Sequence, residues 1–119
     1  LVLLLEHGNF HGLLTGDIGS EQEKKLIETY GEVCDSRSID WYKAAHHGSK
    51  TSNSKELLDA LQPKIATISC GQDNSYGHPG KEAVEHMQDA GAEIFQTTEC
   101  GQIGITEEDG KIIIFKRLA

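Results

Sequence analysis

The sequence contains no C-x-x-C pair, and its three cysteines, Cys34, Cys70 and Cys100, stand far apart. A zinc ribbon or a thioredoxin-type redox centre is therefore excluded, and buried free thiols are the expectation. Long apolar runs are missing too. The longest, residues 1–5, is far too short to cross a bilayer, and without a charged segment before it this run is not a signal peptide. Basic residues are scarce: 11 Lys and Arg face 19 Asp and Glu, a formal net charge of -8. That balance argues against a broad, sequence-independent grip on phosphate backbones, which needs clustered cations. It suits a site that uses a bound cation, because carboxylates and imidazoles are what such ions bind. No initiator Met is present and the chain opens in mid-strand, so an internal fragment of a longer protein is expected. Repeats, linkers and low-complexity stretches are absent, and 119 residues make one domain or part of one.

What is there alternates between short apolar runs and helical patterns. Residues 1–6 read as a strand buried on both faces, turned by His7, Gly8 and Asn9 into a partner strand over 10–15. Ser20 and Glu23 have capping-box spacing for a helix that Gly31 ends. Residues 33–39 form a connection, and 41–45 a strand. Asn53 and Glu56 repeat the capping-box spacing for a helix that stops before Pro63. A strand over 64–69, a polar loop over 71–80, a helix opened by Pro79 and closed by Gly91, and a strand over 92–97 follow. Residues 102–106 and 111–118 make a final hairpin around Asp109 and Gly110. The order β-β-α-β-α-β-α-β-β-β predicts an α/β fold with a mixed sheet flanked by helices.

The chemistry gathers where strands end. His46 and His47 follow a strand at once and precede Gly48, Ser49, Lys50, Thr51 and Ser52. Successive strand side chains alternate faces, so both histidines cannot enter a core. At least one is expected to face a pocket at the strand's carboxyl end, where α/β proteins hold ligands and metals. Asp17 and His78 stand in equivalent positions after the strands over 10–15 and 64–69. Aspartate and histidine suit zinc, manganese or iron, and a carboxylate can bridge two ions. Asp17 reads equally as a turn residue, and His78 equally as a helix cap. Ser49, Lys50 and Thr51 read as helix-start chemistry or as groups that meet a phosphate. His7 and His11 are expected to face solvent, and His86 to lie on a solvated helix face.

Taken together, Leu13-Leu14-Thr15-Gly16-Asp17, Tyr42-Lys43-Ala44-Ala45-His46-His47-Gly48-Ser49-Lys50-Thr51-Ser52, Ile68-Ser69-Cys70-Gly71 and Asn74-Ser75-Tyr76-Gly77-His78-Pro79 resemble the metallo-β-lactamase-like domain of the DNA-internalisation competence protein family ComEC. The resemblance covers nearly the whole chain. It implies the carboxyl-terminal half of an αββα metallo-β-lactamase sandwich, with residues 1–119 a partial domain that lacks the amino-terminal ligand half. Asp17 would match the aspartate that bridges two divalent ions, zinc or manganese, and His46 or His47 the later ligand. His78 would be the near-site histidine, giving a proton or hydrogen bond to the leaving group, and Ser49, Lys50 and Thr51 would orient phosphate. The reaction implied is metal-assisted hydrolysis of DNA phosphodiester bonds, within a bacterial membrane protein of DNA uptake. This chain would be an extracytoplasmic-side domain of that parent, making no membrane contact itself. The superfamily's His-x-His-x-Asp-His cluster has no counterpart here, so the chain alone is expected to be inactive and, with a face left open, able to form a homodimer. A free-standing hydrolase of small esters, lactones or phosphodiesters, and a non-catalytic α/β binding module, are the alternatives that the residues leave open.

Overall fold

In the computed structural model, which describes residues 1–33 and 39–117, the elements follow the expected order with two short additions. They are β1 (Leu3–His7), β2 (Phe10–Leu14), α1 (Ser20–Val33), β3 (Trp41–Lys43), α2 (Lys55–Leu61), β4 (Ile65–Ile68), α3 (Lys81–Asp89), β5 (Glu93–Gln96), α4 (Thr97–Cys100), β6 (Gln102–Glu108) and β7 (Lys111–Arg117). The additions are α4 and a tight turn, Ala45–Gly48, that carries the double histidine.

Strands β1 to β5 form one sheet in sequence order. The β1–β2 pair is antiparallel, with Leu5 opposite Gly12, and the β2–β3, β3–β4 and β4–β5 pairs are parallel. The sheet is therefore mixed and flanked by helices, as the alternating pattern requires. Side chains of alternate parity leave it on opposite faces. Leu13, Tyr42, Ala66 and Ile68 point one way, into a core with Leu57, Leu58 and Leu61 of α2 and Ala83 and Met87 of α3. Ile65, Phe95 and Trp41 point the other way and meet Ile103, Ile112 and Ile114 of the β6–β7 hairpin. Helices, sheet and hairpin thus make three layers, an arrangement compatible with one half of an αββα sandwich.

Several local expectations are corrected. β1 is the sheet's edge strand, and it is not buried on both faces: Leu3 is 51% and Leu5 47% exposed. Only Val2 and Leu4 pack on the helix-side core. The α1 cap lies one residue earlier than read. Ser20 is already helical, Gly19 N–H donates to Gln22 Oε1 at 3.2 Å, and Glu23 N–H donates to Gly19 O. The helix continues through Gly31 to Val33. For α2 the cap is Ser54, whose hydroxyl accepts from Leu57 N–H, and Asn53 is taken for another task. His11 is buried; its backbone N–H donates to Asp40 Oδ2 at 2.8 Å and its Nδ1–H to Asn9 O. His86 is half-buried and bonds Asn53 O through Nδ1 at 2.9 Å, so it ties α3 to the start of α2. Cys100 is buried and free, Cys70 is free but half-buried, and Cys34 lies outside the described residues, as does most of the connection before β3.

Candidate functional site

Because β2, β3, β4 and β5 run parallel, their carboxyl ends share one rim. Thr15-Gly16-Asp17 leaves β2 there, the double histidine follows β3, and the loop that carries His78 follows β4. Main-chain bonds lock these loops together. His46 N–H donates to Gly16 O at 2.9 Å and Gly80 N–H to Gly48 O at 2.8 Å, while Ser20 N–H reaches Thr51 O at 3.2 Å. Thr97, after β5, completes the rim: its hydroxyl accepts from Cys70 N–H and donates to Cys70 O.

The two histidines do not obey strand alternation, because the strand ends at Lys43 and the pair lies in a left-handed stretch. His46 has φ 47° and His47 φ 56°. Side chains other than glycine pay roughly 1–2 kcal/mol for each such residue, and strain of this kind concentrates at functional sites. Its effect is to expose both imidazoles on the rim, with ring centroids 6.2 Å apart. His78 joins them, 5.5 Å from His46 and 6.5 Å from His47. His47 Nδ1 lies 2.7 Å from Ser69 O. A carbonyl can only accept, so the proton of the neutral ring sits on Nδ1 and Nε2 keeps its lone pair. Metal-binding histidines are commonly oriented by such a bond.

Beneath the turn a buried polar network holds its shape. Asn53 is fully buried at φ 59°. Its Oδ1 accepts from Tyr42 Oη at 2.7 Å and Ala45 N–H at 2.9 Å, and its Nδ2 donates to Ala45 O and Ser49 O at 3.1 Å. Glu23, buried within α1, accepts from Asn53 N–H at 2.7 Å and Ser54 N–H at 3.0 Å. Burial, and then the Glu23 charge, pushes the Tyr42 phenol well above its ordinary range. Sequence reasoning missed this network: Glu23 and Asn53 both look like cap residues, and only the tertiary fold redirects them to the turn.

The other expected site residues are placed as follows. Asp17 is exposed and follows Gly16 directly, and no described residue hydrogen-bonds its carboxylate. Ser49 is buried and shares a 2.9 Å hydrogen bond with the Thr51 hydroxyl, while Lys50 and Thr51 are exposed. His78 does not cap α3; Gly80 occupies that position. A cavity of about 180 Å³ opens between His47, Cys70, Asn74, Tyr76 and His78. Burial pushes the Cys70 thiol up, so it faces this cavity as a thiol and not as a thiolate. Among the described residues, no group of three or more His, Cys, Asp or Glu side chains is disposed to hold a metal ion. Donor type and ring orientation fit a metal, but donor number does not.

Comparison with known proteins agrees with a part of something larger. The chain is 35% identical over 103 residues to ComE operon protein 3 of Bacillus subtilis, covering 87% of this chain and 13% of that protein. The chain resembles a segment of several much longer proteins, one of them named as a competence protein. Recombination protein 2 of Haemophilus influenzae is 33% identical over 87% of this chain and 12% of its own length. Competence protein ComA of Neisseria gonorrhoeae is 31% identical over 86% and 14%. The chain thus spans 12 to 14% of the length of these relatives. No protein-family model matches it, and no solved structure does. No helix among the described residues is long and apolar enough to cross a membrane.

Proposed function

We propose that this chain is the double-histidine part of a metal-dependent phosphodiesterase site, belonging to a larger membrane-bound competence protein that acts on DNA during uptake. One observation carries the reading: His46, His47 and His78 converge at the rim, with His47 Nδ1 fixed on Ser69 O so that Nε2 stays free to bind. The similarity to a competence protein supports the biological setting. Two divalent ions, zinc or manganese, would supply hydroxide near neutral pH and offset phosphate charge. Asp17 and His46 or His47 would help to hold them, leaving further donors to come from the parent, because catalytic zinc takes about three protein ligands. His78 would hold a proton close to the leaving oxygen. Lys50 and Thr51, exposed at the same turn, would orient a non-bridging phosphate oxygen.

The test is zinc and manganese titration by calorimetry, alongside hydrolysis of single-stranded DNA. This chain should bind metal weakly, with the heat lost in Asp17→Ala and in His47→Ala, and should cleave nothing. A longer segment of the parent that carries the His-x-His-x-Asp-His motif should bind tightly and cleave with manganese. Absence of metal-stimulated cleavage by that longer segment would sink the proposal.

A further inference from the structure

The loop between β4 and α3 carries an aromatic ring that the reaction just described does not use. Tyr76 is 80% exposed, the largest exposure of any aromatic side chain in the described structure. Tyrosine joins a large apolar face to a polar tip and is enriched where molecules meet. The ring is not loose. It lies nearly parallel to His78, at 15°, with centroids 5.7 Å apart. The loop beneath is fastened by a single side chain, Asn74. Its Oδ1 accepts from Tyr76 N–H at 3.2 Å and His78 N–H at 3.0 Å, and its Nδ2 donates to Gly71 O and His78 O, both at 2.8 Å. Four bonds from one residue pre-set the ring before any ligand arrives, so little ordering entropy remains to oppose binding. From Tyr76 the rings continue inward, through His78 to His46 at 5.5 Å and His47 at 6.5 Å. Tyr76, His78 and His47 also line one cavity of about 180 Å³.

We infer that Tyr76 is a stacking platform for an unpaired nucleobase, seating a single-stranded nucleic acid so that a neighbouring phosphate meets the histidine rim. This rests on the phosphodiesterase reading given above. The geometry selects the base and not the duplex. Tyr76 offers one free ring face to solvent, and the faces of paired bases are already covered by their neighbours in the helix. Charge points the same way. At a net -8 the chain has little counterion release to draw on, which leaves stacking a larger share of the affinity. Recognition by stacking is indifferent to sequence, since every base has a π-face.

The experiment compares two trinucleotides with identical phosphates in fluorescence titrations of this chain. One carries 2-aminopurine at its centre, and the other an abasic spacer with a distal label. Wild type should bind the base-bearing strand about tenfold more tightly, with quenching of 2-aminopurine. Tyr76→Ala should abolish the preference and the quenching, and Tyr76→Trp should keep both. The ring is exposed, so neither variant threatens folding. Equal binding of the two strands by wild type, no binding of either, or a preference that survives Tyr76→Ala would each overturn the assignment. No metal or cleavage is needed for this readout. Base preference without metal-stimulated cleavage in the longer parent segment sinks the phosphodiesterase reading alone. Cleavage without base preference sinks the stacking role alone.

Discussion

His46 and His47 occupy backbone conformations that their side chains disfavour, and the fold holds them there. His46 N–H is tied to Gly16 O, and its own carbonyl accepts from Ser49 N–H. Glycine has no such penalty, and the His46 ring is exposed. His46→Gly should therefore raise stability by about 0.5–1 kcal/mol in urea unfolding while removing one imidazole from the rim. A loss of stability would show that the ring itself supports the turn. Tyr42 predicts a pH response. Its phenol, pushed up by burial, titrates higher in the folded chain than the ordinary value of about 10 in the unfolded one. The protonated hydroxyl bonded to Asn53 is stabilising below about pH 10, and that contribution fades as pH rises past it. Urea midpoints should fall steeply between about pH 10 and 12 in wild type, and Tyr42→Phe, less stable at neutral pH, should show a flatter alkaline limb.

Among the elements, the double-histidine turn depends most on close approach to its neighbours. Gly48 has φ +80°, and a Cβ there would lie 2.8 Å from Pro79 Cβ and 3.2 Å from Ile68 Cγ2. Gly48→Ala combines a left-handed penalty with a clash against a ring that cannot swing aside. It should cost about 2–4 kcal/mol and push the turn away from the His78 loop. Thermal unfolding would read the first effect, and the chemical shifts of the His47 and His78 rings the second. Retention of wild-type stability would contradict the packing described. Much at this scale was legible beforehand. The order of strands and helices followed from apolar periodicity, and the Asp109-Gly110 hairpin from turn chemistry that the φ values of 50° and 78° satisfy. The strand ends that carry Asp17, His46, His47 and His78 were equally readable, because parallel strands put their exits on one rim. What was not legible depends on partners distant in sequence. The burial of β1 hinged on its being an edge, and that of His11 on Asp40. The true caps at Gly19 and Ser54 were hidden because Glu23 and Asn53 are recruited across the fold.

For the whole molecule, the described surface combines strong negative charge with an apolar edge. Leu3 and Leu5 of β1 are 51% and 47% exposed, Leu1 just before the strand is 93% exposed, and Phe115 of β7 is 56% exposed. An open strand edge lined with leucine invites pairing with another chain. Sedimentation velocity should show concentration-dependent self-association for wild type and none for the double variant Leu3→Lys, Leu5→Lys. The variant's folding stability should stay within about 0.5 kcal/mol of wild type, as expected of exposed positions. A larger loss would mean that β1 contributes more core than its exposure indicates.

The rim is fastened largely through main-chain groups: His46 N–H meets Gly16 O, Ser20 N–H meets Thr51 O and Gly80 N–H meets Gly48 O, none of them through an imidazole or carboxylate. A socket wired in this way is indifferent to what is plugged into it. Asp17, His46, His47 and His78 can be exchanged in combination, cysteine for histidine or glutamate for aspartate, without rebuilding the loops that present them. The chain is in that sense a chassis, and laboratory selection for cation binding can begin from these four positions.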